Sequence, residues 1–209
     1  MYFCRRFYSE SMDVIEIVGA VIGLIYLFLE YKAHVCLWPV GILMSLFYVV
    51  IFFYGKFYAD AALNLYYIGA NVYGWVFWVR NRKKNPAGNE EEIPITRVPA
   101  RSLLMSMGVT AALWLACSSI LKLLTDSVVP VGDGFTTSLS IVAMWMLSRK
   151  YAEQWLLWVV VDVVSVILYT WKGLYPTAVL YSIYTLIAAV GYLKWRKLAV
   201  TPSSSGNGL

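Results

Sequence analysis

Two apolar stretches of this 209-residue chain carry polar side chains at helical spacing. Asn64, Tyr67, Asn71 and Trp75 are spaced 3, 4 and 4, which puts them on one helical face. Amides donate and accept at once, and phenol and indole rings stack, so this stripe suits a polar aromatic ligand. The bland alternative is that Asn64 and Asn71 only bond neighbouring helices. Trp155, Trp158, Asp162 and Ser165, spaced 3, 4 and 3, form a second stripe. Asp162 is the only carboxylate well inside an apolar run, and no Lys or Arg lies at its depth. It can accept hydrogen bonds from ligand hydroxyls or balance a ligand cation; a protonated or tyrosine-bonded structural aspartate is the alternative. Tyr181 and Tyr184 are candidates on a third stretch. Trp38, which precedes Pro39, is a gate hinge or simply a helix start. Trp155 at the matching place is the second gate candidate. Asp133 and Glu16 are gate residues or acidic residues favoured near a helix N-terminus.

Other chemistries find no residues. There are no paired catalytic acids, no Gly-rich phosphate loop and no His/Cys metal set, so the chain is read as no enzyme, with no metal and no cofactor. An intramembrane enzyme is thereby disfavoured. A retinal protein would need a lysine in the middle of the last apolar stretch, and Lys194 lies at its end. His34 sits beside Lys32 in a short loop, and the three cysteines, Cys4, Cys36 and Cys117, are scattered.

The elements that must position these residues are transmembrane helices. The chain is 60% hydrophobic and 14% charged, far from a soluble domain. Seven apolar runs approach the roughly 20 residues that cross a bilayer. They fall at about 13–31, 36–54, 58–79, 102–124, 134–147, 152–171 and 174–193, the fifth short and able to begin nearer Val129. None shows the alternation of a lipid-facing barrel, so helices are the spanning elements. Residues 1–12 suit an interfacial amphipathic segment and lack the features of a signal peptide. Residues 198–209 read as a flexible tail. The 81–101 loop, with its Lys/Arg run, Glu90 to Glu92 and three prolines, reads as polar and mobile.

The chain also repeats itself. Trp38 to Arg80 matches Trp155 to Lys197 at a constant offset of 117: Trp38 with Trp155, Tyr58 with Tyr175, Ala61 with Ala178, Leu63 with Leu180, Tyr67 with Tyr184, Gly74 with Gly191 and Trp78 with Trp195. The expected architecture is an all-α integral membrane protein of seven helices, a 3+1+3 arrangement. Residues 13–80 form the first three-helix bundle, 102–128 a linker helix without a counterpart, and 129–197 the second bundle. One extra span makes the two bundles parallel, as in some transporters with the substrate at the repeat interface. The positive-inside rule places the 81–101 loop and the C-terminus in the cytoplasm and the N-terminus outside. The net charge of +5 comes mainly from loops and gives no reason to invoke nucleic acid.

The chain resembles the PnuC family of bacterial vitamin transporters. The resemblance is strongest in Ala70-Asn71-Val72-Tyr73-Gly74-Trp75-Val76-Phe77-Trp78, then in Leu139 to Met144, Arg149 to Tyr151 and Gln154 to Val159. It implies a uniporter with SWEET-like architecture in the bacterial inner membrane. The implied substrate is nicotinamide riboside, moved down its gradient and trapped inside as a phosphate. Trp75, Tyr67 and Tyr184 would face the pyridinium cation, Asn64 or Asn71 the amide, and Asp162 the ribose hydroxyls or the charge. Partners are then the small-molecule substrate, the lipid bilayer and a further copy of the chain in a homo-oligomer. Relatives with similar motifs carry thiamine or riboflavin, so those substrates, or a sugar, remain alternatives. A seven-helix receptor is the alternative of a different class.

Overall fold

The computed structural model describes residues 21–54, 58–84, 90–124, 129–171, 173 and 175–199. The expectations for residues 1–12, Glu16 and the end of the tail lie outside these. Seven helices are present among the described residues. They are α1 (Val21–Tyr31), α2 (Leu37–Tyr54), α3 (Tyr58–Arg80), α4 (Ala100–Leu124), α5 (Pro130–Ser148), α6 (Gln154–Trp171) and α7 (Tyr175–Leu198). Three stretches, Ala100–Leu123, Gln154–Trp171 and Thr177–Leu198, are long and apolar enough on their own to cross a membrane. The fifth helix does begin earlier than its apolar core, at Pro130, where a proline lacks the N–H that a first turn leaves unpaired anyway. Asp133 lies in that first turn. The last helix runs five residues past the expected end, taking Arg196 and Lys197 into its final turn, where the helix dipole favours cations.

The chain divides into two compact units, Met1–Asn81 and Arg82–Leu209. In the first, α2 packs along α3. Gly41 on α2 marks one close approach: a Cβ there would collide with the Asn71 side chain of α3 and meet the Tyr26 ring of α1 at 2.9 Å. In the second unit α5 lies against both α4 and α6, and α6 against α7. Ten residues of α5 are buried, on nearly every side, so it is the unit's central helix. The Trp114 indole of α4 donates to the Val131 carbonyl of α5 at 2.9 Å, and its ring stands edge-on to Phe135 at 5.3 Å. Most other side chains of α4 are exposed.

The repeat has a physical basis in packing. Trp38 is fully buried, stands edge-on to Trp78 at 5.1 Å, and covers Gly74 so closely that a Cβ would collide with its ring. Trp155 is also fully buried, stands edge-on to Trp195 at 5.8 Å, and covers Gly191, where a Cβ would meet the ring at 2.8 Å. Edge-to-face geometry sets the positive ring edge on the negative face of its neighbour. Each tryptophan therefore needs a glycine one helix away. That requirement explains why the Trp38/Trp155 and Gly74/Gly191 pairs are among the residues shared by the two copies.

The equivalence extends upstream of Trp38, into turns that the repeat in sequence does not reach. Ala33 closes α1 with φ 54° and Lys150 closes α5 with φ 53°, again 117 residues apart. Ala33 N–H donates to Glu30 O at 2.8 Å and His34 N–H to Leu29 O at 2.9 Å. Lys150 N–H donates to Leu147 O at 2.9 Å and Tyr151 N–H to Met146 O at 3.1 Å. This is the Schellman pattern, which satisfies the last carbonyls of a helix through one left-handed residue.

The loop between α3 and α4 departs from the mobile linker that its composition suggests. Lys83–Lys84 (β1) and Glu90–Glu91 (β2) pair as a short antiparallel ladder. Beyond it, Glu92 to Val98 docks on the α5–α6 turn. Thr96 N–H donates to Lys150 O at 3.0 Å and Ala152 N–H to Thr96 O at 3.0 Å. Val98 N–H donates to the Glu153 carboxylate at 2.8 Å, and the buried Lys150 ammonium pairs with Glu92 at 3.1 Å. Burial pushes the Lys150 pKa down, with Glu92 opposing the shift.

Candidate functional site

The first unit supplies one set of the expected residues. Asn71 is 2% exposed. Its Nδ2 donates to Tyr67 O at 2.7 Å, one turn back, and its Oδ1 is turned onto Gly41 without a hydrogen-bond partner. The missing Cβ of Gly41 makes room for that oxygen. An unpaired buried amide oxygen costs about 1–3 kcal/mol, so Asn71 holds an acceptor in reserve. Asn64 and Tyr67 are half-buried on the same helix, with the Tyr66 and Tyr67 rings 5.7 Å apart. Trp75 stands apart at 40% exposure. Four residues beyond Asn71 it lies about 40° further round the helix, enough to turn it outward.

The second unit supplies the other set, on α6 and α7. Asp162 is 6% exposed and has no partner among the described residues. Trp158, one turn before it, is half-buried with its indole N–H enclosed and unpaired. Ser165 is buried beyond Asp162. A donor, a carboxylate and a hydroxyl thus share one face of α6. The Tyr181 and Tyr184 rings of α7 lie 5.7 Å apart, tilted by 60°, and Tyr169 of α6 joins them, 5.2 Å from Tyr181.

The three gate candidates have different surroundings. Trp38 and Trp155 are the buried rings seated over Gly74 and Gly191, and both indole N–H groups lack a hydrogen-bond partner. Asp133 is half-buried in the first turn of α5, and its carbonyl accepts from Thr136 Oγ1 at 3.0 Å.

Several polar residues escaped the sequence reading. Tyr169 continues the Asp162 and Ser165 stripe at spacings of 3 and 4, a signal that was present. Ser45, buried on α2, is the repeat mate of Asp162 by the same offset. Glu30 is buried at the end of α1, and Gln154 at the start of α6. Both sit at helix ends, where polar residues are ordinarily solvated, so nothing local marks them as interior.

Apolar helices that carry polar stripes inward define a helical membrane protein built to handle a polar solute. The profile of the nicotinamide mononucleotide transporter family matches residues 13–197, and the chain belongs to that family. It is a membrane transporter and no enzyme. The chain is similar to the nicotinamide riboside transporter PnuC of Escherichia coli strain K12, 29% identical over 205 residues, which cover 88% of this chain and 86% of that protein. It is also similar to the riboflavin/roseoflavin transporter RibM of Streptomyces davaonensis, 29% identical over 183 residues, covering 86% and 83%. Among solved structures, that of the vitamin B3 transporter PnuC matches with TM-score 0.68 at 26% identity, covering 87% of this chain and 80% of that one.

Proposed function

We propose that this transporter carries nicotinamide riboside into the bacterial cytoplasm by uniport, with phosphorylation inside trapping the product. The observation that carries this reading is Asp162, a buried carboxylate without a partner among the described residues, at a depth without Lys or Arg. Such a group favours a cationic, hydroxyl-bearing solute and repels a phosphate. The riboside fits and the phosphorylated mononucleotide does not. Asp162 takes the ribose hydroxyls or the charge, Trp158 donates its indole N–H, and Tyr181 and Tyr184 offer ring faces to the pyridinium. Asn64, Tyr67 and Asn71 serve the carboxamide, with Trp75 on their flank. Trp38, Trp155 and Asp133 are assigned to gating.

The 3+1+3 arrangement belongs to the same proposal. The matched Schellman turns and the matched Trp-on-Gly seats, all at one offset, support two parallel three-helix repeats with α4 as the extra span. The distribution of Lys and Arg supports an external N-terminus and a cytoplasmic C-terminus. Association of copies in a homo-oligomer goes with this membrane-embedded reading.

Calorimetric titration of the purified protein with nicotinamide riboside, riboflavin, thiamine and the mononucleotide tests the substrate. Selective riboside binding, lost in Asp162→Ala, is the expected result. The specific observation favouring a second substrate is the equal identity to the riboflavin carrier. Riboflavin is uncharged, so riboflavin binding that survives Asp162→Ala would replace the proposed substrate.

A further inference from the structure

The two Schellman turns share a backbone and differ in what they hold. The second carries Lys150 and Glu153 where the first carries Ala33 and Cys36. Those two side chains are the ones that engage Glu92 to Val98. Lys150 Nζ reaches Glu92, Glu153 takes Val98 N–H, and Thr96 lies between them in a parallel bridge to Tyr151. Undocking would forfeit together two backbone bonds, a charge-assisted bond and the pairing of a buried ammonium. The segment leads at once into α4, and the turn it grips leads at once into α6, which carries Trp158 and Asp162.

We propose that Glu92 to Val98 is a permanent clamp on the start of α6, docked throughout transport, and that Glu153 is its positioning residue. Glu153 touches no solute; it sets the place of the helix that does. This rests on the riboside reading for its substrate alone.

The test uses the full chain in proteoliposomes, with Cys4, Cys36 and Cys117 changed to serine. Thr96→Cys is combined with Tyr151→Cys. Paired strands lie about 4.8 Å apart, within reach of a disulfide. The expected result is that the disulfide forms on oxidation and riboside uptake keeps its Vmax and KM within about twofold of the single-cysteine controls. Absence of the disulfide would show that the segment does not dock. A roughly tenfold loss of Vmax, restored by reductant, would show that it must release. Either overturns the clamp.

Positioning is read from Glu153→Ala and Glu153→Gln. The amide oxygen of glutamine can still accept from Val98 N–H. Alanine is expected to raise KM several-fold with a smaller change in Vmax, and glutamine to restore it. Equal KM values in both variants, with faster hydrogen exchange at Val98 in the alanine variant, would reject the positioning role. Parent protein run alongside separates the two failures. If the parent carries no riboside, the substrate reading falls, and the clamp is read with whichever vitamin binds in the titration.

Discussion

At the scale of single residues, Asp162 and Gly74 set the sharpest expectations. Asp162→Ala removes the only carboxylate within its apolar run, and riboside affinity is expected to fall at least about tenfold, since one lost charge contact in a shielded site exceeds roughly 1.4 kcal/mol. Calorimetry measures it directly. Gly74→Ala forces a methyl into the Trp38 ring. Overpacking of this kind costs about 1–3 kcal/mol, so the unfolding temperature in detergent should drop, and more than in Gly191→Ala, where the clearance is larger. Lys150 gives a pH signature. Its pKa is lowered by burial, so the folded chain binds fewer protons than the unfolded one and gains stability as pH rises from that lowered value toward about 10.4. Lys150→Met removes both the buried charge and its pairing with Glu92, so the rise of stability with pH should be lost in that variant, as thermal unfolding across neutral to alkaline buffers reads. Much of this scale was readable in advance. The face holding Trp158, Asp162 and Ser165 follows from spacing alone. The outward turn of Trp75 was not readable, because a helix face is about 100° wide and only packing decides where its edge falls.

At the scale of elements, the two tryptophan seats bind neighbouring helices together. Trp155→Ala would empty a fully buried ring site between α6 and α7, with a cost of about 3–5 kcal/mol; thermal unfolding followed by tryptophan fluorescence at the remaining sites reads it. The helices themselves were legible, since apolar runs of this length have few other forms. The docking of Glu92 to Val98 was not. Its partners lie 55 and 58 residues away, and prolines beside acidic residues look locally like a linker. A contact that distant leaves no periodic trace. The same holds for the extension of the repeat into the turns, where the backbone matches while Ala33 faces Lys150 in the alignment.

At the scale of the whole molecule, the proposed cytoplasmic C-terminus makes a prediction of its own. A cysteine introduced as Ser204→Cys in the tail, with the three native cysteines removed, should resist a membrane-impermeant thiol reagent in intact cells and react in inverted vesicles. Labelling in intact cells would reverse the assignment. The paired turns at Ala33 and Lys150 also have a practical consequence. A left-handed residue that is not glycine holds about 1–2 kcal/mol of backbone strain, and both halves of the chain hold it at the same place. Lys150 is engaged with Glu92, but Ala33 makes no such ion pair. Ala33→Gly should relieve that strain and is expected to raise the unfolding temperature in detergent, a one-residue change of use in purification.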